Sequence, residues 1–125
     1  MPPSTVLVVD DNENFADSLA TLLEMEGYRA YTTSNADDAA DALDRDDTIR
    51  IVIVDVRMPS VDGFDFTRVL RHRFPELPVI LMTGSTLTEA DQLPRGTAIL
   101  QKPFPIAKLV KIIKTLLPEP PSKVA

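Results

Sequence analysis

Three aspartates and a lysine stand where apolar runs end. Val6-Leu7-Val8-Val9 leads into Asp10 and Asp11, Ile51-Val52-Ile53-Val54 into Asp55, and Ala98-Ile99-Leu100 through Gln101 into Lys102. A fourth run, Val79-Ile80-Leu81-Met82, ends in Thr83 and Gly84. Carboxylates pressed together repel unless a cation lies among them. Magnesium suits an all-oxygen site, because it keeps several waters and takes only one or two carboxylates. On that chemistry Asp11 and Asp55 are direct ligands and Asp10 a ligand through water. The main-chain carbonyl of Arg57, just past the Asp55 run, is a further protein ligand. Asp55 is the natural nucleophile, since a carboxylate can take a phosphoryl group as an aspartyl phosphate. Charge neutralisation carries most of such a transfer. Lys102 can place a point charge on a phosphoryl oxygen, and the Thr83 hydroxyl can donate to the same group, with Gly84 leaving room for the backbone.

Each of these residues also has a plainer reading. The Asp10-Asp11 pair can cap a helix, Thr83 can form a turn, and most lysines, including Lys108, Lys111 and Lys114, belong to a solvent-facing side. Convergence favours the chemistry. Lys102 differs from the other lysines because it ends an apolar run and precedes Pro103. His72 lies among Arg68, Arg71 and Arg73 and reads as part of a solvated helix face.

The scaffold that would bring these ends together is legible as alternating strands and helices. Short β-branched runs read as buried parallel strands. The first helix is predicted to carry Phe15, Leu19, Leu22 and Leu23 on one face, capped by Asn12 or Asn14 and stopped by Gly27. Residues 28–32 make a second strand whose weak alternation suits an edge. Ser34 is predicted to open a second helix, with Asp37 in its first turn and Ala36, Ala39, Ala40 and Leu43 on a narrow face. The Ile51 run is the most apolar and the natural centre. A third helix uses Phe66, Val69 and Leu70. Residues 85–93 hold about two helical turns at most before Pro94. The last helix repeats Ile106, Leu109, Val110, Ile113 and Leu117, with Pro105 in its first turn and Pro118, Pro120 and Pro121 beyond it. Such alternation predicts an α/β, doubly wound parallel sheet in the common order 2-1-3-4-5. Its direction reverses between strands 1 and 3, where the carboxylates lie, and ligands bind at that switch point.

Bulk properties narrow the function. The chain has 125 residues, enough for one domain. A formal charge of −6 argues against direct nucleic-acid binding. Without cysteine, thiolate catalysis and zinc–thiolate sites are excluded. No apolar stretch approaches the roughly 18 residues that span a bilayer, and Met-Pro-Pro-Ser-Thr at the N-terminus is unlike a signal peptide. A cytoplasmic location without membrane contact is the expectation.

Four motifs in order then resemble the receiver domain of two-component response regulators, over residues 4–117. They are Val8-Val9-Asp10-Asp11, the stretch from Asp55 through Met58-Pro59 to Asp62-Gly63, Met82-Thr83-Gly84, and Lys102-Pro103-Phe104. The resemblance implies a flavodoxin-like (βα)5 fold, similar to CheY, and a phosphoacceptor at Asp55. The donor would be a phosphohistidine on a sensor histidine kinase or a histidine phosphotransfer protein. It implies magnesium at Asp10, Asp11, Asp55 and the Arg57 carbonyl, Thr83 as switch hydroxyl, Lys102 as the phosphoryl-binding lysine, and a cis Lys102-Pro103 peptide. Such a protein is a signalling module that catalyses only its own phosphoryl transfer and dephosphorylation. Residues 118–125 would be a tail or linker. A phosphorylation-dependent dimer, a stand-alone regulator and a piece of a larger one all stay open.

Two departures stand out. The family's switch pairs the threonine with an aromatic residue three positions before the lysine, and here that position is Ile99. An aliphatic side chain cannot swing a polar ring between exposed and buried states, so the usual relay is not expected. The span from Thr83 to Lys102 is also short for the family, which predicts a short or irregular fourth helix. Two other uses of a doubly wound sheet fit less well. An aspartate-nucleophile phosphohydrolase needs a second acid two residues after its nucleophile, where this chain has Asn12 after Asp10. A flavin carrier needs a hydroxyl- and glycine-rich phosphate loop, where this chain has Asp-Asp-Asn-Glu-Asn.

Overall fold

A computed structural model of the protein describes residues 4–58, 61–84 and 96–117. Five strands form one parallel sheet: β1 (Thr5–Val9), β2 (Arg29–Thr33), β3 (Ile49–Asp55), β4 (Val79–Thr83) and β5 (Thr97–Gln101). Their spatial order is β2-β1-β3-β4-β5, as expected, with β3 at the centre and β2 at an edge. Four helices accompany them among the described residues: α1 (Glu13–Met25), α2 (Ala36–Arg45), α3 (Gly63–Arg73) and α4 (Ile106–Leu116). The helix anticipated at residues 85–93 lies outside the described residues, as do Pro59 and the tail at 118–125. None of the described helices is long and apolar enough to cross a membrane.

Both faces of the sheet are covered, which is why the inner strands β1, β3 and β4 are buried at nearly every position rather than at alternate ones, while the edge strand β2 stays largely exposed. Val6, Val8, Ile51, Ile53, Ile80, Met82 and Leu100 pack in one cluster with Leu19 and Leu23 of α1 and Leu109 and Ile113 of α4. Leu7, Val9, Val52, Val54, Val79 and Leu81 pack in the other with Ala39 and Leu43 of α2 and Phe66 and Leu70 of α3. The strand period of two therefore sorts the residues of each strand between the two helical layers.

Several local expectations need correction. The second helix is capped by Asn35, not Ser34. The Asn35 side chain accepts from the Asp38 N–H at 2.8 Å, which puts Ala36 in the first helical position. Asn12, rather than Asn14, caps α1 by accepting from the Phe15 N–H. Val69 points outward and is 51% exposed. Thr67 takes the buried place on α3, and its hydroxyl is satisfied by the Gly63 carbonyl at 2.8 Å. Leu22 is likewise exposed, while Ala16 is buried on α1. Pro105 is the cap of α4 rather than part of its first turn.

The cluster on α3 divides. His72 is exposed as expected, and Arg68 pairs with Asp65 on the same helix. Arg71 is not part of a solvated face. Its Nη1 donates to the carbonyls of Leu77 (2.6 Å), Pro75 (3.0 Å) and Phe74 (3.4 Å), and its Nη2 reaches the Gly96 carbonyl at 3.5 Å. One guanidinium thus fastens the end of α3 and the starts of both β4 and β5.

Candidate acidic cluster at the carboxyl end of the sheet

Strand register sets the depth of each site residue. Val9 of β1 is level with Val54 of β3, so Asp10 and Asp55 lie one step beyond that pair and side by side. Asp55 is in turn level with Met82 of β4. Asp10 follows the alternation of Val6 and Val8, and Asp55 that of Ile51 and Ile53, so both belong to the layer of α1 and α4. Asp10 is buried and Asp55 only 9% exposed. Asp11 is exposed at the mouth.

Lys102 closes the cluster. Its main-chain N–H donates to the Thr83 carbonyl at 2.7 Å, extending the β4–β5 ladder by one residue, and the Lys102-Pro103 peptide is cis. The ammonium Nζ lies 3.0 Å from Asp10 Oδ2 and 3.7 Å from Asp55 Oδ2. It also sits over the face of the Phe15 ring, 4.2 Å from the centroid. Asp10 Oδ1 accepts from the Asn12 N–H at 2.9 Å. Asp55 Oδ1 accepts a long hydrogen bond, 3.4 Å, from the Arg57 N–H. The sequence spreads these groups over four connections, and the sheet gathers them into one.

Gly63 makes the floor possible. Its N–H donates to the Val56 carbonyl at 2.8 Å, so α3 begins directly beneath the end of β3. A Cβ at this position would lie 2.7 Å from both the Asp55 carbonyl oxygen and the Val56 Cα. Glycine is there for close approach rather than for a left-handed backbone.

Burial is the main reason the Asp55 carboxyl is pushed above the ordinary carboxylate value, and repulsion from Asp10 adds to it. The Lys102 ammonium and the Arg57 N–H oppose the rise, and Asp11 adds slightly to it. The Asp55 carboxylate is therefore short of compensating positive charge. The donor set fits a magnesium ion that would supply it. Oxygens of Asp10, Asp11 and Asp55 all lie within 4.8 Å of one another. Metal–oxygen bonds of about 2.1 Å in an octahedron put neighbouring oxygens about 3 Å and opposite ones about 4.2 Å apart. Small side-chain movements, or one bridging water, close the difference, and every donor is a hard oxygen.

Of the anticipated residues, Asp10, Asp11, Asp55, Arg57 and Lys102 line one cleft. Thr83 does not line it. It is level with Gln101, one residue further along β4 than Met82, and follows the alternation of Leu81 toward the α3 layer. It is buried, with 4% exposure, and joined to Lys102 through its carbonyl. Ile99 packs on that same side, against the α2–α3 cluster. Sequence reasoning placed Phe15 on a core face and missed its contact with the lysine. The signal available was its position three residues after the capping Asn12, in the first turn that overhangs the β1 end.

Comparison with known proteins agrees with this geometry. The family model for the response regulator receiver domain matches residues 6–114. The response regulator SaeR of Staphylococcus aureus is 33% identical over 116 residues, which cover 90% of this chain and 50% of SaeR. The chain thus spans about half the length of the curated relatives it matches. The chemotaxis protein CheY4 of Vibrio cholerae superposes with a TM-score of 0.84 at 26% identity, over 91% of this chain and 98% of that one. TrrA of Thermotoga maritima, solved in complex with Mg(2+)-BeF, gives 0.82 at 26% identity over 90% and 98%. With its five-stranded order, its acidic cluster and its lysine in place, the chain belongs to the response regulator receiver domain family of two-component signal transduction.

Proposed function

We propose that this receiver domain accepts a phosphoryl group on Asp55 from a phosphohistidine of a sensor histidine kinase or phosphotransfer protein. The observation that carries the reading is the Lys102 ammonium, held between the buried Asp10 and Asp55 at 3.0 and 3.7 Å. A cation so placed serves an anion that arrives at Asp55. The Asp55 carboxylate attacks phosphorus, the oxygen–phosphorus bond forms as the nitrogen–phosphorus bond breaks, and the leaving imidazole takes up a proton. The product is a mixed anhydride on Asp55 that water later cleaves. Asp10, Asp11, Asp55 and the Arg57 carbonyl would hold magnesium, whose charge when bound offsets that of the phosphoryl oxygens. Lys102 moves from Asp10 toward a phosphoryl oxygen. Thr83 donates its hydroxyl to the same group by turning toward the cleft from its buried position.

Receiver domains are signalling modules, and here the signal would be a change at an output surface. With Ile99 packed on the α2–α3 side, the change is transmitted by displacement of Thr83 and the β4–β5 end without a swinging aromatic ring. Residues 4–117 would form the receiver unit, acting in the cytoplasm, with 118–125 as tail or linker. The test is incubation with magnesium and acetyl phosphate. Wild type should gain one phosphoryl group, removable by hydroxylamine, and Asp55→Asn none. A wild-type chain that stays unmodified, and that binds no beryllofluoride either, would sink the reading.

A further inference from the structure

We infer that Phe15 is a positioning residue for Lys102: its ring face holds the ammonium at the rim while the phosphoryl group is transferred. This rests on the reading of Asp55 as acceptor. Among the described residues, the Lys102 Nζ lies close to the Asp10 and Asp55 carboxylates and to the Phe15 ring, 4.2 Å from its centroid. Both carboxylates have other work, since Asp55 reacts and Asp10 faces the metal. When they are engaged, their hold on the lysine weakens. The ring neither reacts nor binds the metal, and it attracts a cation through the negative charge on its face. Of these contacts it is the one that neither the phosphoryl group nor the metal would take up.

The ring is itself fixed. Its backbone N–H is bound by the Asn12 side chain at 3.1 Å in the first turn of α1. Its plane meets that of Phe104 at 88°, with centroids 6.3 Å apart. Phe104 lies two residues past Lys102, so both the cation and its platform are tied to the same Lys102-Pro103-Phe104 turn. A lysine that is 24% exposed has freedom to swing into water, and the ring face opposes that swing without competing for the phosphoryl group.

The test uses the full chain with Phe15 replaced by mono-, di- and trifluorophenylalanine, which keep the ring's shape while draining charge from its face. The readout is the rate of phosphorylation by acetyl phosphate at saturating magnesium. The rate should fall stepwise with each fluorine, by about two- to ten-fold in total, while the thermal midpoint stays that of wild type. Phe15→Tyr should retain the rate and Phe15→Leu should lose it. Equal rates across the fluorinated series, with wild type phosphorylated normally, would overturn the role of the ring face. A loss in Phe15→Leu alone would likewise overturn it, by showing that only ring volume matters. If wild type takes no phosphate, the acceptor reading itself fails and this inference falls with it.

Discussion

Asp55 is a strained place for a charged side chain. It is nearly buried, it faces Asp10, and its one ammonium neighbour is nearer to Asp10 than to it. Its carboxyl is held above the ordinary value of 3.8, first by burial and then by Asp10. A carboxyl that binds its proton more tightly when folded than when unfolded opposes folding once both states are ionised. The penalty is complete at neutral pH and fades as pH falls through the raised folded value toward the unfolded one. Asp55→Asn should therefore melt at a higher temperature than wild type at pH 7 without divalent ions. The gap should narrow as the buffer is taken into the carboxylate range. Thermal denaturation of both chains across that range checks this, and a gap that widens on acidification would show the sign to be wrong. The same residue was legible in the sequence because it ends the most apolar run. Repulsion from the neighbouring carboxylates was also anticipated there, but not that burial would be the larger cause of the raised carboxyl.

At the scale of elements, what could be read locally was read well, and what depends on distant neighbours was not. The strands and the apolar faces of α1 and α4 follow from periodicity. Asn35 displaced Ser34 because two adjacent capping residues compete and only the fold decides which side chain reaches the Asp38 N–H. Thr67 displaced Val69 because Thr67 could return its hydroxyl to the Gly63 carbonyl and so enter the core without an unsatisfied group. In the sequence Gly63 is visible as part of a family motif, yet its role is to let α3 start against the end of β3. An alanine Cβ there would meet main-chain atoms at 2.7 Å, and backbone cannot rotate away as a side chain can. Gly63→Ala should destabilise the protein by roughly 1–3 kcal/mol, the usual cost of overpacking. It should also slow phosphorylation by acetyl phosphate, because the strain falls on the end of β3 at Asp55 and Val56, next to Arg57. Urea denaturation and the phosphorylation rate should move together. Wild-type stability in this variant would mean that α3 retracts freely.

The whole molecule concentrates charge at one rim. Two parallel strands that are far apart in sequence each deliver a carboxylate there, and Lys102 crosses 92 residues to meet Asp10. Individual motifs were visible along the chain, but the pairing distances, and the aromatic platform under the lysine, exist only once β1, β3 and β5 share a sheet. The strand order itself came from a general rule of doubly wound folds rather than from any residue. On the proposed reading, folding builds the magnesium site, and an unfolded chain has none. A ligand that binds only the folded state stabilises it by mass action, about 2.7 kcal/mol when present at 100 times its dissociation constant. Magnesium should therefore raise the melting temperature, by roughly 2–8 °C per kcal/mol for domains of about this size. Sodium chloride at matched ionic strength should not reproduce the rise. Asp11 is the proposed ligand to remove, because it is exposed and its loss leaves the core intact. Asp11→Asn should melt like wild type without magnesium and lose most of the magnesium-dependent rise. The chain has no tryptophan, so calorimetry is the suitable measurement of both melting and metal affinity. An unchanged magnesium response in Asp11→Asn would remove Asp11 from the ligand set and leave Asp10, Asp55 and the Arg57 carbonyl to hold the ion without it.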